Sequence, residues 1–115
     1  MKEYIGKLNV DGLHIAIITA RFNEIVTKKL LEGALETLSQ YGLSRNQIIC
    51  VSVPGALEIP LATKLIIENN SVDAVICLGA VIKGATAHFD IVANQSAADI
   101  AQIALGCKIP IINGI

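Results

Sequence analysis

Four short stretches concentrate the groups able to do chemistry: Arg21-Phe22-Asn23-Glu24, Pro54-Gly55-Ala56-Leu57-Glu58, the run from Gly79 to His88, and Asn113-Gly114. The third, Gly79-Ala80-Val81-Ile82-Lys83-Gly84-Ala85-Thr86-Ala87-His88, is the most informative. Gly79 and Gly84 let backbone come close to a ligand, and the stretch opens into a helical pattern. Unpaired amides at a helix start, together with the Thr86 hydroxyl, suit a phosphate. The pattern Gly79-x4-Gly84-Ala85-Thr86 follows a nucleotide-binding P-loop until the position that must hold lysine, where Ala85 stands, so an NTPase is disfavoured. Lys83 can add positive charge from outside the loop. A turn that merely starts a helix is the competing reading of the same residues.

His88 falls in the first turn of that helix. The positive end of the helix dipole there favours a neutral ring able to accept a proton, while a bound phosphate would pull the other way. A histidine that caps or packs is the alternative, and its place on a phosphate loop tips the reading toward proton transfer. Phe22 follows a strand directly, where its ring can stack on a flat heterocycle. A hydrophobic staple at the N′ position of the next helix, packing toward Thr27, explains it equally well. Glu58, near the start of another helix, can either complement the dipole or bind sugar hydroxyls. His14, inside a strand with no such neighbours, reads as structural.

The elements that must position these residues alternate. Apolar runs at Leu13–Thr19, Ile48–Val53, Asp73–Gly79 and Ile109–Asn113 are rich in Ile and Val, as strands buried on both faces are. Helical patterns lie between them. The first runs from Glu24 to Tyr41, with Val26, Leu30, Ala34 and Leu38 on one face, Asn23 as cap and Gly42 in the left-handed position at its end. The second runs from Leu57 to Glu68, with Leu61, Ala62, Leu65 and Ile66 inward and Pro60 tolerated in the first turn. The third runs from Thr86 to Leu105, with Ala93, Ala97, Ile100 and Ala104 inward and Gly106 as its stop.

Alternating strands and helices with right-handed crossovers imply a parallel sheet. The expected architecture is a three-layer α/β fold of flavodoxin-like strand order 2-1-3-4, with the first helix on one face and the other two opposite. One helix must then cover a face of four strands. Either a partner subunit completes that face, or the chain is a shortened version of a longer protein. Ligands of open parallel sheets bind beyond the carboxyl ends of the strands, where the order reverses. All four chemistry-bearing stretches belong to that end.

The 115 residues suit a single domain, 1–115, and 53% hydrophobic content with only 3% aromatic leaves the core to Ile, Val, Leu and Ala. Nine basic against ten acidic residues give a net charge of −1 without a basic block, which argues against nucleic acid and anionic membranes as partners. The longest apolar stretch, Val72 to Ile82, is interrupted by Asp73 and is too short to span a bilayer. Met1-Lys2-Glu3-Tyr4 carries no apolar leader, so a cytoplasmic protein is expected. Cys50, Cys77 and Cys107 form no CxxC pair and read as reduced structural thiols, with no metal site among them.

These segments closely resemble the lumazine synthase family. The resemblance is carried by Arg21-Phe22-Asn23, Val53-Pro54-Gly55-Ala56-Leu57-Glu58-Ile59-Pro60 and the run Leu78 to Asp90, and it extends from Gly6 to Ile115. It implies an enzyme of riboflavin biosynthesis that joins 5-amino-6-(D-ribitylamino)uracil to 3,4-dihydroxy-2-butanone 4-phosphate, giving 6,7-dimethyl-8-ribityllumazine without metal or cofactor. By resemblance, Phe22 stacks on the pyrimidine and Ala56, Leu57 and Glu58 hold the ribityl chain. The backbone of Ala80, Val81 and Ile82 reads the pyrimidine edge. Ala85 and Thr86 bind the phosphate, and His88 transfers protons. Asn113 stands where the family usually has an aromatic contributed across a subunit interface. Members usually continue through C-terminal helices bearing a phosphate-binding arginine and a lysine. They assemble as pentamers, some stacked into decamers or shells, and the Tyr4–Val10 segment would extend a neighbour's sheet. The competing expectation is a truncated homologue that folds or assembles without catalysing. A phosphate-binding signalling module would need an acidic cluster with a phospho-acceptor Asp after the first strand, where Arg21-Phe22-Asn23 stands instead.

Overall fold

Six consecutive residues, Ile15–Ala20, form strand β1, and every one of them is buried. Such a strand must be covered on both faces and paired on both edges. In the computed structural model, which describes residues 1–115, β1 pairs in parallel with β2 (Ile48–Val53) on one side and with β3 (Ala74–Leu78) on the other. Strand β4 (Ile111–Gly114) pairs with β3, so the order is β2-β1-β3-β4, as the alternation of elements predicts. The pairing registers Ile17 with Cys50 and with Ile76, and Cys77 with Asn113.

The two-residue period of β1 divides the core. Ala16, Ile18 and Ala20 join Val53, Val75 and Cys77 with Ile59, Val92 and Ile100, beneath helices α2 (Ile59–Asn69) and α3 (His88–Leu105). Ile15 and Ile17 point the other way and join Leu78 with Leu38 and Leu43 beneath helix α1 (Glu24–Gln40). One helix therefore covers one face and two cover the opposite face, as expected. On the α1 face, Ile112 of β4 is half exposed. No helix is long and apolar enough to cross a membrane.

The helix ends follow local chemistry. Gly42 adopts φ 96° after α1, and Leu43 donates its amide to the Leu38 carbonyl at 3.0 Å, closing the C-terminus. A 3-10 turn at Ala56–Glu58 precedes α2, and Pro60 lies in its first turn, where a missing N–H costs nothing. Helix α3 begins at His88 rather than Thr86, so Gly84 to Ala87 remain loop. His14 immediately precedes β1, and its backbone does the structural work. Its amide donates to Asp73 Oδ2 at 2.7 Å, and the Asp73 amide returns a 2.7 Å bond to the His14 carbonyl.

The inward faces of the helices match the expected ones only in part: Ala34, Leu38, Ala62, Ile66 and Ile100 turn inward as expected, and other positions do not. On α1, Val26 and Leu30 are 42% and 37% exposed, while Thr27 is buried and Leu31, Ala34, Leu35 and Leu38 pack on the sheet. On α2, Leu61 and Leu65 face outward, and Ile59, Pro60 and Thr63 are buried with Ala62, Ile66 and Ile67 beside them. On α3, Ala97 is exposed and Ala93 and Ala104 are half-buried, whereas Val92, Ser96 and Ile100 form the contact. On α2 and α3 the shift has a common cause. A small hydroxyl side chain can occupy the innermost position once its oxygen bonds the preceding turn, as Thr63 Oγ1 does to the Ile59 carbonyl at 2.8 Å and Ser96 Oγ does to Ala93 at 3.3 Å.

Candidate active site

Beyond the carboxyl ends of β1, β2 and β3 the chain is laced together by backbone bonds. The Arg21 amide donates to the Val53 carbonyl at 2.7 Å and the Phe22 amide to the Pro54 carbonyl at 2.9 Å, so the pairing of β1 with β2 continues past both strands. The Asn23 side chain crosses the other way and donates from Nδ2 to the Ala80 carbonyl at 2.7 Å. Three loops are thereby fixed to one another at the point where strand order reverses.

Between them lies a cleft of about 310 Å³, lined by Phe22, by Pro54 to Glu58, by Ala80 to Ile82, and by His88 and Val92, with Ala20 at its floor. Its size falls at the lower end of the range for small-molecule sites. Its lining is mostly apolar, with a carboxylate at Glu58 and an imidazole at His88 as the ionisable groups. The Phe22 ring is 66% exposed, so it does not pack as a staple under α1 and stands free over the cleft. Glu58 curls back over Gly55, its Oε1 lying 3.6 Å from the position a Cβ on that glycine would occupy. The only ion pair in the molecule, Lys28 with Glu24 at 3.7 Å, lies on the surface of α1, so Glu58 is free to accept hydrogen bonds.

The structure therefore brings together Phe22, Ala56, Leu57, Glu58, Ala80, Val81, Ile82 and His88. It leaves three expected residues outside the cleft lining. Ala85 and Thr86 lie on the exposed loop before α3, where their amides bond no other part of the chain, and the Thr86 hydroxyl accepts a long 3.4 Å bond from the His88 amide. Asn113 sits on β4, its Oδ1 accepting from the Ile115 amide at 2.9 Å. No cluster of three metal-ligating side chains occurs anywhere in the fold.

Sequence reasoning overlooked the part played by Asn23 beyond capping. Its backbone is left-handed, φ 62° and ψ 47°, and its side chain makes no cap bond. The available signal was its residue type, since Asn is the side chain that most readily accepts that conformation after glycine. Pro54 and Gly55 also line the cleft, but nothing in their chemistry singles them out.

The chain is similar to known proteins over nearly its whole length. The family model described as 6,7-dimethyl-8-ribityllumazine synthase matches residues 12–115. A 6,7-dimethyl-8-ribityllumazine synthase of Protochlamydia amoebophila is 50% identical over 115 residues, spanning all of this chain and 67% of the relative. One from Pediococcus pentosaceus is 48% identical over the same length, with 74% of the relative covered.

Proposed function

The chain belongs to the 6,7-dimethyl-8-ribityllumazine synthase family, and on that premise we propose that it condenses 5-amino-6-(D-ribitylamino)uracil with 3,4-dihydroxy-2-butanone 4-phosphate, releasing phosphate and water. The observation that carries this reading is the convergence of Phe22, Ala56, Leu57, Glu58, Ala80, Val81, Ile82 and His88 on one cleft, from three separate loops.

In this reading Phe22 stacks on the pyrimidine, whose polar edge meets the backbone of Ala80, Val81 and Ile82. The ribityl hydroxyls donate to the Glu58 carboxylate beside Ala56 and Leu57. Gly84 to Ala87 offer free amides and the Thr86 hydroxyl to the phosphate of the second substrate. This donor set is aimed at an anion that leaves as charge develops on it. His88 stands between that loop and the cleft, where it can take a proton from the attacking amine and return one during water loss. Such help contributes ~10²–10⁴-fold. The amine and ketone react slowly unaided, so holding them together is the larger share, with effective molarities reaching ~10⁵ M or more.

Assembly is part of the proposal. Asn113 and the phosphate loop lie outside the cleft of one subunit, and Tyr4, Ile5 and Leu8 stand exposed on an extended N-terminal segment. A homopentamer or higher assembly would bury such residues. A cytoplasmic location suits the three unpaired thiols, Cys50, Cys77 and Cys107, which a reducing compartment maintains.

The test is to mix the purified chain with both substrates and follow lumazine fluorescence together with phosphate release. Product and phosphate should appear together, faster than in the protein-free mixture. A folded chain that leaves the uncatalysed rate unchanged would leave only folding or assembly as its role.

A further inference from the structure

Asn23 departs from local preference twice. It is the only non-glycine residue of the chain with positive φ, and as the residue before α1 it would ordinarily turn its side chain onto the free amides of that helix. Instead its carbonyl accepts from the Val26 and Thr27 amides, at 2.9 and 3.1 Å, while its side chain reaches 57 positions along the chain to Ala80. The helix keeps its first turn and forgoes its side-chain cap. A residue held in that conformation, with its amide spent on a distant carbonyl, is over-determined by its surroundings.

The consequence lies one bond further on. A peptide unit is planar and trans, so the carbonyl of Ala80 and the N–H of Val81 point in opposite directions. Fixing the Ala80 carbonyl on Asn23 therefore fixes the direction of the Val81 amide. That amide has no partner within the chain, and Val81 lines the cleft. The same Asn23 follows Phe22, whose backbone is tied to Pro54.

We propose that Asn23 is a positioning residue for the condensation. By holding the Ala80 carbonyl it orients the Val81 amide toward the pyrimidine edge and sets the spacing between that edge and the Phe22 ring. The inference rests on the function proposed above and adds a specificity determinant for the pyrimidine substrate alone. The butanone phosphate, held by the loop before α3, does not sense the Asn23 bond.

Two variants test it. Asn23→Gly keeps the left-handed backbone and deletes the amide. Asn23→Asp keeps the shape but sets a carboxylate against the Ala80 carbonyl. Steady-state rates are measured for both, and for the unaltered chain, against each substrate in turn, alongside thermal unfolding. The expected result is a KM for the pyrimidine raised about 5–10-fold in each variant, the loss of one neutral hydrogen bond's worth of affinity. The KM for the butanone phosphate should stay within twofold, and kcat should fall less than the pyrimidine KM rises. Unchanged pyrimidine KM in an active, folded Asn23→Asp variant overturns the inference and leaves the function standing. An equal rise in both KM values alongside a lowered unfolding temperature also overturns it, by assigning Asn23 a merely structural role. If the unaltered chain makes no lumazine, the function and this inference fall together.

Discussion

The thiol of Cys77 lies 3.6 Å from the hydroxyl of Thr63, both side chains fully buried where α2 rests on β3. Burial pushes the Cys77 thiol above its ordinary value, and the Thr63 hydrogen bond opposes the shift more weakly. A thiol is neutral when protonated, so the native state holds this proton more tightly than the unfolded chain does. Its contribution is complete below the unfolded value of about 9.0 and is lost as pH rises from there through the raised native value. Urea midpoints should therefore decline from pH 8 to pH 10.5, and Cys77→Ala should flatten that decline. Parallel pH slopes in the two proteins would show that the thiol is not responsible.

Gly114 occupies a position no other residue can take without moving a strand. A Cβ there would lie 2.7 Å from the Cys77 carbonyl oxygen and 2.9 Å from Leu78 Cδ2. The first is backbone and cannot swing aside, so Gly114→Ala must push β4 away from β3. A loss of ~1–3 kcal/mol, typical of overpacking, is expected in chemical denaturation. A variant as stable as the unaltered protein would mean that the edge strand gives way freely.

His88→Ala should lower kcat by ~10²-fold or more if the imidazole moves protons in the slow step. Because His88 is exposed, the same variant should unfold at nearly the temperature of the parent. Single-turnover rates across pH supply the check, and a variant with undiminished kcat would transfer the proton chemistry to solvent.

Phe22→Ala separates stacking from folding. The ring contributes little to the core at 66% exposure, so stability should change by less than ~0.5 kcal/mol. Loss of one aromatic stack should raise the KM for the pyrimidine by up to ~10-fold. A large drop in unfolding temperature instead would return Phe22 to the role of a helix staple.

The sheet was readable in the sequence because each strand is a short Ile/Val run separated from the next by a helical pattern, and right-handed crossovers leave few ways to order them. The inward faces of the helices were readable only in part, at Ala34, Leu38, Ala62, Ile66 and Ile100. Val26 and Leu30 on α1, and Leu61 and Leu65 on α2, form apolar stripes as regular as those that meet the sheet. Periodicity finds such stripes without saying which one turns inward, and the polar-looking residues Thr27, Thr63 and Ser96 concealed the true contacts. The site showed the same division. Topology alone directs Phe22, Glu58 and His88 to one end of the sheet, whereas the bond from Asn23 to Ala80 joins residues too far apart in sequence for any local pattern to pair.

The bonds from the Arg21 and Phe22 amides to Val53 and Pro54 tie the two loops together beyond the last strand pair, Ala20 with Val53. Phe22 is thus carried on backbone tied to the neighbouring loop, although it lies beyond β1. A planar ligand stacking on Phe22 would meet a ring whose main chain is already anchored to the neighbouring loop. Less backbone freedom would then be surrendered on association, and more of the contact energy would survive as affinity.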